Sequence, residues 1–296
     1  MVKSASPAQV GGLGAADGRA VRFGPSRPVG RRERRMYPFS PVGGRSSAER
    51  LVVAATMGTS VHDIRAWRFR PSGGAIEARA EPDRFRAMDD PQGRGLHLGC
   101  GAALVNLRLA AAQLGHGAVV RLLPDDDDPT LLARVRLVRA RRTSRSDRLL
   151  YAATMRPNPV RRPGHRSLPN ALFLHGLAEA ARLEGVTFRL LRATNGDNVR
   201  RAVLSTRGDG PRAWMRAGQA LQRVLLDASV HSAAVSFLYE VLGADGEGER
   251  SWSLLTPGEV PQVLLEISAP APRTTTCGGT ARARTTAAPD WGRAVR

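Results

Sequence analysis

The stretch of this chain with the most reactive side chains is Ser60-Val61-His62-Asp63, which sets a hydroxyl, an imidazole and a carboxylate side by side. A nucleophile, base and acid that work as a relay must converge from separate segments, so neighbours in sequence cannot form one. The chain has no Gly-x-Ser-x-Gly elbow and no His-Glu-x-x-His helix, which removes the usual hydrolase and zinc-protease signatures. Asp125–Asp128 offers oxygen ligands but lacks the glycine and distal glutamate of a calcium loop. It reads as an acidic turn between strands, with Asp128-Pro129 as a cap and first-turn proline. Cys100 and Cys277 are the only cysteines, too few for a disulfide framework or a four-thiolate metal site. Cys100, inside an apolar run, is expected to pack as a small hydrophobe.

These residues sit in a chain of 296 with 42% hydrophobic and 24% charged residues, the composition of a globular protein. Aromatic residues make up only 5%, so the core must be built from Leu, Val and Ala, which favours helix packing with a modest sheet. The net charge is +19, and Lys3 is the lone lysine. Clustered cations of this kind suit phosphate. Here, however, much of the excess lies near the ends, at Arg31, Arg32, Arg34 and Arg35 and at Arg282, Arg284, Arg293 and Arg296. With no basic helix interleaved with aromatics, nucleic-acid binding is not expected as the primary role. The longest apolar stretch, Cys100 to Leu114, is short for a bilayer and carries Arg108. No membrane association and a cytoplasmic location are expected.

Periodicity gives the elements. Residues 1–45 are rich in Gly, Ser, Pro and Arg without a pattern, and read as a disordered basic arm. A helix is expected near Ala48–Met57, then a hairpin in which Trp67 and Phe69 alternate with Arg68 and Arg70 and return along Ala75–Arg79. A buried helix over Gly99–Leu114 closes at Gly115. Strands follow near Ala118–Leu122 and Ala133–Val138. Helices are expected near Asp147–Met155 and Pro169–Glu184, strands near Val186–Leu191 and Ala202–Thr206, and a long helix from Pro211 to about Ser232. Val235–Leu238 and Val263–Ile267 read as further strands, and 269–296 as a loose tail.

The helix beginning Gly101-Ala-Ala-Leu-Val-Asn-Leu aligns without gaps on Gly218-Gln-Ala-Leu-Gln-Arg-Val, and each helix runs into a short apolar strand. Gly101 matches Gly218, Leu104 matches Leu221, and Leu109 matches Leu226. An internal duplication is expected, with halves at 46–140 and 141–268. The cleft between two such halves is a natural place for a ligand.

The segment Gly58-Thr-Ser-Val-His-Asp-Ile-Arg-Ala-Trp-Arg-Phe69 resembles the A-P-S-x-H-N-x-Q-P-W-R-F element of nitroreductase-like flavoproteins. More closely it resembles the Acg family of FMN-binding oxidoreductases, in which two nitroreductase halves are fused in one chain. Gly93-Arg94, Cys100-Gly101-Ala-Ala-Leu104 and Asn106 match that family's next block. Leu204-Ser-Thr206, Gly208-Asp209, Trp214 and Gly218 to Leu226 match the second half, so the resemblance covers about 48–268. It implies an α+β fold of the nitroreductase type, two fused half-domains forming a pseudo-dimer around a mixed or antiparallel sheet.

It also implies FMN between the halves. Ser60 stands where the family's loop serine binds, with Asp63 in place of Asn and Arg65 in place of Gln. The family's R-R-x-T-N-R-R-P-F phosphate clamp appears as Arg156-Pro-Asn-Pro-Val-Arg-Arg-Pro163, in which Arg161 survives and Arg156 and Arg162 are substitutes. Pro157 and Pro159 each delete an amide donor from the clamp. Tyr239-Glu240 falls where backbone amides approach the flavin ring. The second half is short between Thr194 and Val203, where relatives carry a further segment. The expected activity is hydride transfer from NAD(P)H through FMN to a small electron-poor acceptor, a nitroaromatic or quinone. A non-catalytic flavin-sequestering or degenerate relative is the alternative. A single chain would carry both faces of the cleft, as a monomer with pseudo-dimeric halves or as a homodimer.

Overall fold

The computed structural model describes residues 47–56, 65–72, 74–85, 90–139, 142–156, 159, 168–192, 199–239 and 257–269. The expected arm, and the expected tail after Ala269, lie outside the described residues. In the first half, α1 (Ser47–Thr56) leads to the hairpin β1 (Trp67–Ser72) and β2 (Ala75–Ala80). A one-turn helix α2 (Pro82–Phe85), not foreseen from the sequence, precedes α3 (Arg94–Gln113), β3 (His116–Leu122) and β4 (Leu131–Arg139). Helix α4 (Arg145–Thr154) connects to the second half. That half comprises α5 (Ala171–Arg182), β5 (Thr187–Leu190), β6 (Arg200–Arg207), α6 (Pro211–Val230), β7 (Val235–Leu238) and β8 (Glu259–Ile267).

The architecture is α+β, but the strands form two separate sheets rather than one. Their orders are β1-β2-β4-β3 and β5-β6-β8-β7, and every pairing is antiparallel. The modest sheet expected from composition is thus an underestimate. Ion pairs extend the strands beyond their apolar cores: Glu77 on β2 takes Arg134 across the sheet on β4 at 2.8 Å and Arg79 of its own strand at 2.9 Å. Such a polar face costs the sheet little where one side remains in water.

The halves repeat each other beyond strand order. In the first sheet the β2–β4 register shifts between Ala78 and Arg79, leaving Leu132 as the extra residue. In the second the β6–β8 register shifts between Leu204 and Ser205, leaving Gln262. Helices α3 and α6 each span 20 residues and pair end to end on the ungapped alignment, Arg94 with Pro211 and Gln113 with Val230.

The two long helices cross at the centre of the molecule, at the aligned glycines. A Cβ on Gly101 would lie 2.1 Å from the Met215 carbonyl oxygen, and one on Gly218 would lie 1.9 Å from that of Leu98. Leu98 and Met215 occupy equivalent positions, so the contact is reciprocal, as at a two-fold interface. Each helix also lends a residue to the other half's core. Leu98 packs among Trp214, Leu221 and Leu265, while Met215 packs among Leu96, Leu104 and Leu132. Leu150 and Ala153 of α4 bridge both helices through Val105, Leu109 and Leu226. Helix α3 is apolar and long enough to cross a membrane, yet 89% of that window is buried within the protein, which marks it as a core helix.

Candidate functional site at the seam between the halves

The motif residues matched in the two halves meet at this seam. Arg94, at the start of α3, crosses to the β8 bulge and donates to the Pro261 and Gln262 carbonyls at 3.1 and 3.2 Å. It also donates to the Gln262 Oε1 at 2.8 Å. Asp209, in the loop before α6, stands 3.8 Å from the guanidinium and accepts from the Trp214 indole and the Gln262 amide. Gln262 further donates to Thr206 Oγ1 at 2.9 Å. Burial lowers the Arg94 pKa, with Asp209 and Asp90 opposing the shift. The bulge makes this possible: it turns Gln262 inward at the position where the first sheet carries the apolar Leu132.

His97 and Trp214 are equivalent positions of the two helices, and their rings meet at 5.7 Å. The His97 Nδ1 lies 2.5 Å from the Gly93 carbonyl, which assigns the proton to that nitrogen. Burial pushes the His97 pKa down, against a smaller upward pull from this hydrogen bond and from Asp90. Cys100 is fully buried, and burial alone pushes its thiol pKa far up, so it packs as the small hydrophobe expected. Trp67 and Phe69 are core residues; the Trp67 ring lies over Gly99, where an added Cβ would sit 2.6 Å from it.

Of the residues expected to hold FMN, Ser60, Asp63, Arg161, Arg162 and Glu240 lie outside the described residues. Arg65 is half-buried just before β1, and its carbonyl accepts from Arg84. Arg156 is exposed at the end of α4. Tyr239 is buried in the second core, one residue beyond β7. No cluster of metal-ligating side chains occurs among the described residues, and Asp128 folds its carboxylate back on Thr130 and on Arg79. Asp128-Pro129 therefore opens a turn into β4 and not a helix.

The same register that relates the bulges relates other positions. Arg79 corresponds to Ser205, so their strand partners Arg68 and Thr187 correspond. Arg65 then corresponds to Glu184. Ala133 corresponds to Val263, so Leu122 corresponds to Tyr239 and Leu123 to Glu240. Glu184 and Leu122 line one cleft of about 300 Å³ together with Arg108 of α3. Arg108 reaches Glu184 at 2.7 Å. A larger neighbouring cleft of about 680 Å³ includes Leu123, Gly185 and Thr187. The loop before the first strand of the second half and the end of the third strand of the first half therefore converge. The expected duplication implied a cleft between the halves without marking the walls of either one.

No protein-family model matches the chain. Over 85 residues it is 35% identical to "Putative NAD(P)H nitroreductase Rv3131" of Mycobacterium tuberculosis, and that match covers 29% of this chain and 25% of the relative. Over 84 residues it is 33% identical to "Putative NAD(P)H nitroreductase acg" of the same species, covering 28% and 25%. The similarity runs to NAD(P)H nitroreductases. Each match spans about a quarter of the relative's length. Among solved structures, a "putative nitroreductase" from Anabaena variabilis aligns with a TM-score of 0.46 and 12% identity over 67% of this chain and 69% of that one. Another from Thermotoga maritima aligns with a TM-score of 0.32 and 11% identity over 77% and 98%.

Proposed function

We propose that the protein is an FMN-dependent oxidoreductase built from an internal duplication. It would take hydride from NAD(P)H and deliver it to an electron-poor acceptor of the nitroaromatic or quinone class. The observation that carries this reading is the reciprocal crossing of α3 and α6 between two halves of identical strand order, a dimer-like seam contained in one chain. The sequence similarity to NAD(P)H nitroreductases supports the chemistry.

Whether the chain suits a flavin is tested by its symmetry. Glu184 and Leu122, the counterparts of Arg65 and Tyr239, line one cleft. This supports a matching cleft on the other side of the seam, between the loop carrying Ser60, Asp63 and Arg65 and the Tyr239-Glu240 segment. By residue type, the donor set expected there would suit FMN. Ser60 and the amides near Tyr239 and Glu240 would hold the ribityl and ring edges, while Arg161, with Arg156 and Arg162, would hold the phosphate as charge-assisted donors. Bound there, FMN supplies two-electron hydride transfer between donor and acceptor. The chain's own contribution is to fix the ring between its halves and to limit water, since small misplacements at a reacting centre are costly. Asp63 brings a carboxylate to a place where an amide is expected, and Arg65, two residues on, would neutralise it.

The experiment is to mix the full chain with FMN, remove free cofactor by gel filtration, and follow NAD(P)H oxidation with a nitroaromatic or quinone acceptor. Retained yellow colour with acceptor-dependent oxidation is the expected result. Colour without oxidation would assign a flavin-sequestering role, and a colourless protein would overturn the flavin reading.

A further inference from the structure

Beside the cleft lined by Glu184 and Leu122 lies a second one, away from the proposed flavin position. We infer that the cleft of about 680 Å³ at the start of α6 binds a phosphate-bearing small molecule of mononucleotide size. Both halves wall it: Leu123 and Asp126 come from the first, and the β6–α6 segment comes from the second.

Arg207, Arg212 and Arg216 line it, and none has a carboxylate partner among the described residues. Arg212 makes only a long contact, 3.5 Å, to the Leu123 carbonyl. Arginines left unpaired around a concave surface are poised for a planar, forked grip on a phosphate oxyanion. The 20-residue helix α6 opens on Gly210 with no side-chain cap, so the amides of Arg212 and Ala213 at the cleft wall are not met by a capping side chain. Gly208 takes a left-handed conformation with nothing among the described residues within 4 Å of a Cβ position, which keeps the approach to those amides open. Ser205, fully buried in the same lining, has an Oγ with no hydrogen-bond partner among the described residues.

Two carboxylates also line the cleft, and neither cancels the arginines. Asp209 is turned toward Trp214 and Gln262, and Asp126 is exposed at the rim. The volume is several times what an inorganic phosphate needs, and the rest of the wall, including Thr187, Pro211 and Ala213, suits an uncharged body attached to the anion.

The inference stands on described residues of its own and does not require flavin at the other cleft. The test is calorimetric titration of the full chain with adenosine monophosphate and with adenosine, at fixed ionic strength. Wild type is compared with the double variant Arg212→Ala/Arg216→Ala and with Arg70→Ala/Arg136→Ala, which removes the same charge from the exposed face of the first sheet. The expected result is that the monophosphate binds and adenosine binds far more weakly. Loss of Arg212 and Arg216 should weaken the monophosphate by about tenfold or more, the equivalent of one charge-assisted hydrogen bond. The control pair should leave it unchanged, with circular dichroism confirming that both variants are folded. An equal loss in the control pair would reduce the effect to net charge and overturn the site. So would equal binding of adenosine and its monophosphate, or no binding of either.

Discussion

Gly218→Ala is a one-carbon change whose sign depends on the seam. The added Cβ would stand 1.9 Å from the Leu98 carbonyl oxygen and 2.7 Å from its carbon, both rigid backbone atoms of α3. Relief requires the helices to part by roughly 1 Å. A gap of that size forfeits a quarter to a half of the dispersion energy of the contacts it opens. Overpacking of this kind costs about 1–3 kcal/mol and more where backbone must move, so about 3 kcal/mol is expected here. Alanine recovers about 1 kcal/mol of helix propensity, leaving a net loss of about 2 kcal/mol. For a fold of this size that lowers Tm by about 4–8 °C.

The internal control is Gly176→Ala in α5, where the nearest atom to the new Cβ is Asp227 Oδ2 at 3.9 Å. The same chemical change there should stabilise by about 0.5–1 kcal/mol, because only the propensity gain remains. Thermal and urea unfolding of both variants against wild type decides the matter. If Gly218→Ala is as stable as Gly176→Ala, the helices do not meet at these glycines, and the two-fold seam fails with them.

Arg94→Ala should destabilise by about 2 kcal/mol, since the Pro261 and Gln262 carbonyls and the Gln262 side chain all lose their donor at a buried bulge. Urea melts would read this, and a change within about 0.5 kcal/mol would remove the clamp from the account. His97 gives a pH dependence with a defined sign. Its folded pKa lies below the unfolded value of about 6.5, so the unfolded chain binds the proton first. Its contribution is fully present above about pH 6.5 and is lost as pH falls toward the depressed folded pKa. His97→Phe, which keeps a ring beside Trp214, should show a flatter stability profile over that acid limb, and an identical profile would contradict the burial argument.

Much of the fold was legible because periodic apolar residues set it. The strands and helices fall within a few residues of expectation, and the aligned glycines turn out to face each other's helices. Helix α3 starts five residues before the expected Gly99. Gly93, Gly95 and Gly99 dilute the pattern, and the Asp90 carboxylate that accepts from the Leu96 amide lies upstream of the periodic residues. Strand β8 begins four residues before Val263, because Pro261 reads as a break, yet a bulge accommodates it. The Arg94–Gln262–Asp209 clamp was not legible as a contact. Its members are far apart in sequence, and only folding brings the bulge to the start of α3. A cleft between the halves was expected, but its lining escaped for the same reason, since the walls come from opposite halves. The flavin-site residues were named through resemblance, and five of the eight lie beyond the described residues.

FMN is proposed to lie between the halves of a single chain, with Arg161 on its phosphate. The most direct measurement is a titration of the full chain with FMN and with riboflavin, for wild type and Arg161→Ala, followed by flavin fluorescence and by sedimentation. FMN should bind the monomer, Arg161→Ala should weaken it by about 1.5–3 kcal/mol, and riboflavin should bind both forms equally. FMN that binds wild type and variant alike, or that stays bound only in a dimer and leaves on dilution, would contradict the account.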